Sequence, residues 1–154
     1  MPRWADVERE VPELAAAAKR FLEARKHRTI ATIRSDGSPR SNSISVPLMR
    51  GELVFGSMWR SNKALDLLRD PRFALHSGSD EPDVWAGDAT VSGTVDEVDP
   101  DRIEEIFGQA PPGPSHLFRA DISELTVVTL NEARDHLILE SWVHGRGYRR
   151  RTRT

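Results

Sequence analysis

Apolar and polar positions alternate along most of this chain, and the few places where the period changes mark its elements. Over residues 10–25, EVPELAAAAKRFLEAR, apolar side chains recur at Leu14, Ala17, Ala18, Phe21 and Leu22. That is the spacing of a helix face, and Pro12 stands near the start, where its missing N–H costs nothing. From Thr29 to Ile33 the period drops to two, and the run ends at Asp36-Gly37, a pair that favours a hairpin turn. A second strand is predicted from Pro39 to Met49, a tight turn at Arg50-Gly51, and a third strand over ELVFGS at 52–57. A helix starts near Ser61, buries Ala64, Leu65 and Leu68, and stops before Pro71. RFALHS at 72–77 and the long alternating run DATVSGTVDEV at 88–98 read as strands, with the loop GSDEPDVWAG between them. DPDRIEEIFG at 99–108 reads as a short capped helix, APPGP at 110–114 as an irregular crossing, and DISELTVVTL and HLILESWV as the last two strands.

Many hairpin-linked strands with few helices define a mainly β, α+β chain, an antiparallel barrel that is closed or partly closed. With 154 residues the expectation is one domain over 1–154, with an N-terminal helix within 1–26 and a basic C-terminal tail at 145–154. The chain has no cysteine and no apolar run approaching the roughly 18 residues of a membrane span, and Leu14 to Ala18 is too short for a signal-peptide core. The expected setting is the cytoplasm, with no membrane partner.

Charge changes the picture in one place. The net charge is −2, yet GRGYRRRTRT at the C-terminus carries five arginines and no acid, so residues 1–144 hold −7. Elsewhere there is no basic stripe interleaved with aromatic residues, so nucleic acid is not an expected partner. The five histidines (His27, His76, His116, His136 and His144) lack metal-ligand spacing, and without cysteine no metal site is expected. GRGY lacks the rest of a dinucleotide fingerprint. No nucleophile, base and orienting group can be named together. An enzyme built on this chain would draw its reactive chemistry from a bound cofactor.

The stretch SMWRSNKALDLLRDP at 57–71 raises a conflict. A helix N-terminus presents free N–H groups and a partial positive charge, so acids normally gather there. Here Arg60 precedes the N-cap candidate Ser61, Lys63 follows, and position 64, where a capping box would hold a carboxylate, is Ala64. Either both cations point into water, or an external anion such as a phosphate sits among Ser57, Arg60, Ser61, Lys63 and the free N–H groups. The second strand poses a similar choice. Asn42, Ile44, Val46 and Leu48 share one side, while Ser41, Ser43, Ser45 and Pro47 share the other. The small hydroxyl row either faces water or leaves room for a flat ligand. Pro47 has no N–H, which predicts an edge or bulge.

In this order and spacing, RTIATIRSDGSPRSNSISVPLMRGELVFGSMWRSNKALDLLRDPRFAL resembles the pyridoxamine 5′-phosphate oxidase-like family, the flavin- and deazaflavin-binding split barrels. The resemblance runs from about Ala15 to Arg153. It implies an FMN-binding split-barrel fold and a homodimer with two cofactors at its interface. It further implies an oxidoreductase passing hydride between FMN and a small-molecule substrate. Ser57 at the strand end, with Ser61 and Lys63 at the helix start, corresponds to the family's cofactor-phosphate contacts; Arg60 is a neighbour able to assist, and Met58 is a further cofactor-binding candidate. Arg40, Ser41, Asn42 and Ser43 correspond to positions along the ring system or its ribityl chain. Trp142 corresponds to the C-terminal element that approaches the partner subunit's cofactor. The family also admits the 8-hydroxy-5-deazaflavin coenzyme in place of FMN, and non-catalytic flavin- or haem-binding proteins. Arginine outnumbers lysine nineteen to three, a bias of GC-rich genomes in which deazaflavin use occurs. The Arg-Leu-x-Pro pattern of authentic pyridoxamine phosphate oxidases is absent, so that substrate does not carry over.

Overall fold

A computed structural model describes residues 2–45, 48–49, 51–109 and 111–154, with only the backbone of 48–49. Its elements are α1 (Trp4–Glu10), α2 (Pro12–Glu23), β1 (His27–Ile33), β2 (Pro39–Ser45), β3 (Leu48–Met49), β4 (Leu53–Met58), α3 (Asn62–Arg69), β5 (Arg72–His76), β6 (Asp88–Glu97), a 3-10 turn (Pro100–Arg102), α4 (Ile103–Phe107), β7 (Ser115–Leu130), β8 (Leu137–Val143) and β9 (Gly147–Arg153). Among the described residues, no helix is long and apolar enough to cross a membrane.

The strands form one antiparallel sheet in the order β2-β1-β5-β6-β7-β4-β3, with β8 and β9 added beyond β7. The two ends of that path, β2 and β3, are consecutive in the chain, with only positions 46 and 47 between Ser45 and Leu48. A sheet whose opposite edges are joined by two residues must curl back on itself. The molecule is therefore an antiparallel split barrel of the α+β class, the antiparallel barrel predicted from the strand pattern in the split form implied by the family resemblance.

The run predicted as one strand from Pro39 to Met49 is two: β2 pairs with β1 (Ile30↔Asn42), while β3 pairs with β4 (Leu48↔Val54). The turn and bulge predictions at Arg50 and Pro47, and the placing of Val46, lie outside the described residues. β7 runs sixteen residues and serves three neighbours, pairing first with β4, along its middle with β6, and at its end with β8. The register with β6 shifts at Ser92/Gly93, where a Cβ on Gly93 would collide with the carbonyl oxygen of Asp121. That bulge bends the long strand pair.

HLILESWV is not the last strand. The arginine-rich segment expected as a tail pairs with β8 over its whole length, from Leu137↔Arg153 to Val143↔Gly147. A further helix, α1, precedes the predicted one; it buries Trp4 and Val7, and Val11 breaks the helix at φ −133° before Pro12. α2 then lays Leu14, Ala15, Ala18, Phe21 and Leu22 on the barrel. The buried Arg28 donates to the Leu22 carbonyl and satisfies its last turn. The main core joins this face to Phe55, Phe73, Leu75, Phe118, Ile122, Leu125 and Trp142. A smaller cluster, Val54, Val98, Ile103 and Phe107, seats α4 beside β4.

Candidate functional site

The site forms where β4 ends and α3 begins. Alternation along β4 turns Ser57 inward, buried, while Met58 is 78% exposed. The chain then turns sharply: Ser61 N–H donates to the Met58 carbonyl at 3.1 Å, and Arg60 takes φ 57°, the left-handed region that costs a non-glycine residue about 1–2 kcal/mol. Ser61 is the N-cap of α3, its hydroxyl accepting from Ala64 N–H at 3.3 Å. The same hydroxyl lies 2.6 Å from Ser57 Oγ. Strand end and helix start thus present two linked hydroxyls, and no acid occupies the first turn. The N–H groups of Asn62 and Lys63, the remaining donors of that turn, have no partner among the described residues.

Lys63 reaches toward β2, where its ammonium donates to the Ser43 carbonyl at 3.3 Å. No carboxylate pairs with it among the described residues, and burial holds its pKa below the ordinary lysine value. It lines a groove of about 920 Å³ together with Ser43, Ser45, Ser57, Met58 and Trp59. Ile44 and Phe55 add apolar wall, and residues 111–114 also line the groove. Ser41, Ser43 and Ser45 are all exposed, so the hydroxyl row points out of the barrel, and two of its three members border the groove.

A family model for pyridoxamine 5′-phosphate oxidase matches residues 14–129. The chain belongs to the pyridoxamine 5′-phosphate oxidase family. Solved structures carry the same fold as this family member. PhzG from Burkholderia lata 383, in complex with tetrahydrophenazine-1-carboxylic acid, is 14% identical over 95% of this chain and 90% of its own, with a TM-score of 0.67. A pyridoxamine 5′-phosphate oxidase-related, FMN-binding protein from Nostoc punctiforme is 15% identical over 94% and 96%, with a TM-score of 0.62. A heme-binding protein from Mycobacterium smegmatis is 13% identical over 90% and 87%, with a TM-score of 0.56. No curated protein matches the chain.

Of the residues that the sequence marks in this pyridoxamine phosphate oxidase relative, Ser43, Ser57, Met58 and Lys63 meet at the groove, and Ser61 is bonded to Ser57 behind it, while Arg60 is exposed and outside the groove lining. Others turn elsewhere. Arg40 pairs through Nε with Asp66 at 2.7 Å, because alternation on β2 sends it to the face that α3 covers. Asn42 is half-buried on that same face, and Ser41 is exposed beyond the groove lining. Trp142 is fully buried in the main core, the inward position of β8, and His144 beyond it is exposed.

The residue missed in the sequence is His116. It is buried opposite Ser57 in the β4–β7 register, stacks on Trp59 with centroids 4.6 Å apart, and bonds both to Glu97 and to the Arg60 N–H. Nothing near SHLF at 115–118 signals this, because its partners stand 19 and 56 positions away.

Proposed function

We propose that this chain is a flavin-dependent oxidoreductase that binds FMN as a homodimer and passes hydride between the cofactor and a small organic substrate. The supporting observation is Lys63, an ammonium half-withdrawn from water beside a helix N-terminus, with a carbonyl as its one polar contact among the described residues. A partly buried cation of this kind is costly unless an anion arrives, and a phosphate dianion would accept together from Lys63, the Ser57 and Ser61 hydroxyls and the two N–H groups without partners among the described residues. Family membership and the FMN-binding neighbour favour FMN as the bearer of that phosphate. The groove volume is within the range of sites that enclose a ligand of this size.

When bound, FMN supplies the two-electron chemistry. The chain's own part is to bind and orient: Lys63, Ser57 and Ser61 hold the phosphate, Arg60 adds positive potential, and the β2 serines offer hydroxyls along the groove wall. No covalent bond to a protein side chain is needed.

The test is the visible absorption spectrum of the purified protein, alone and titrated with FMN, the deazaflavin coenzyme or haem. A saturable flavin signal with FMN is expected, and Lys63→Glu should abolish it while leaving the protein folded. Preference for the deazaflavin would keep the site and change the ring system. Haem binding alone would make this a carrier, and a protein that takes up none of the three would overturn the reading.

A further inference from the structure

The turn that joins β4 to α3 is not held by its own residues alone: besides the Ser61 N–H bond to the Met58 carbonyl, it leans on a side chain from β7. Arg60 sits at φ 57° without the freedom of a glycine, and its backbone N–H is spoken for by a side chain 56 positions later, His116 Nε2 at 3.1 Å. Because Nε2 accepts, the proton of the neutral imidazole is on Nδ1, where it is donated to Glu97 Oε1 at 2.6 Å. The ring is gripped on its faces as well, by Trp59 at 4.6 Å and 7° and by Phe118 at 5.9 Å and 23°. Both nitrogens of a side chain that is 4% exposed are therefore committed, and its ring stacks on two aromatic neighbours. Among the described residues, the one backbone group the ring holds is that of Arg60, the residue directly before the N-cap Ser61.

We infer that His116, oriented by Glu97, is a positioning residue for the anion site. It fixes the left-handed Arg60 so that the Ser57 and Ser61 hydroxyls and the first turn of α3 converge on one point. The inference rests on the phosphate reading above and adds a residue that touches neither the groove's cation nor its hydroxyls. Without the acceptor, the turn is free to relax toward ordinary φ values, and Ser61 moves away from Ser57. The loss should fall on the phosphate and spare the ring.

The experiment compares FMN with riboflavin, which has the ring and ribityl chain without the phosphate. His116→Phe keeps the volume and the stack on Trp59 and removes the acceptor. It should raise the FMN dissociation constant about tenfold, the worth of one well-placed hydrogen bond, and leave that for riboflavin unchanged. In His116→Gln a side-chain carbonyl can again accept from Arg60, and FMN affinity should return close to the wild-type value. Hydrogen exchange of the Arg60 amide supplies a readout without ligand: it should be protected in the wild type and in His116→Gln, and fast in His116→Phe. Equal loss for both flavins, no loss for either, or an Arg60 amide that exchanges fast in the wild type would overturn the positioning role while leaving the flavin assignment intact. A wild-type protein that binds riboflavin as tightly as FMN would remove the phosphate site and this inference with it.

Discussion

Lys63 and Asp66 lie three residues apart on α3 and show two outcomes for a charge taken out of water. Among the described residues Lys63 finds a single carbonyl, and partial burial depresses its pKa. Asp66 is buried too, which would raise its carboxyl pKa. It accepts from Arg40 at 2.7 Å, Thr32 at 2.8 Å and Arg69 at 3.0 Å, and these bonds outweigh the burial and hold it below the ordinary carboxylate value. A carboxyl depressed in the folded state contributes stability above its unfolded-chain value and loses it as pH falls through the folded one. Asp66→Ala should therefore cost about 3 kcal/mol at neutral pH. The gap to the wild type should narrow in strongly acidic solution, as urea melts across pH will show. The hydroxyls and cation at 57–63 were legible because helix-start chemistry is local. Arg40 was read as a ligand contact because its partner, Asp66, is 26 positions away and comes close only when α3 folds over β2.

Strands and helices were legible wherever one face is buried and the other wet. α2 and β6 carry that contrast in their own residues, and both appear where the periodicity places them. The failures share a cause. β9 has no apolar face at all: six of its seven residues are exposed, and it is a strand because β8 offers a free edge to pair with. The run from Pro39 to Met49 alternates without interruption, so nothing in it announces a change of partner from β1 to β4. Gly93 was read as one position in an alternating strand, whereas the β6–β7 bulge brings the Asp121 backbone against it. Gly93→Ala should force those backbones apart and cost about 3 kcal/mol, seen as a fall in melting temperature of roughly 10 °C.

Taken together, the chain builds a groove whose walls come from β2, β4, the start of α3 and residues 111–114. Met58 and Trp59 stand 78% and 52% exposed on its rim, and Leu65 and Leu68, expected from the periodicity to be buried, are exposed on α3, where Leu67 is buried instead. Large exposed apolar side chains beside the proposed anion site and on α3 fit the proposed homodimer, in which a second chain would cover them. Sedimentation equilibrium should give a particle of two chains carrying one FMN each; a monomer that binds FMN with full affinity would remove the second chain from the site. Local patterning was enough to dictate the class of fold, most of its elements and the cationic, hydroxyl-lined helix start, since each follows from side-chain periodicity or from the chemistry of a few neighbouring residues. Barrel closure, the burial of Trp142, the bond between Arg40 and Asp66 and the grip of His116 on Arg60 arose only on folding. Each is a contact between residues far apart in the chain, and no periodicity encodes which distant partner a side chain will meet.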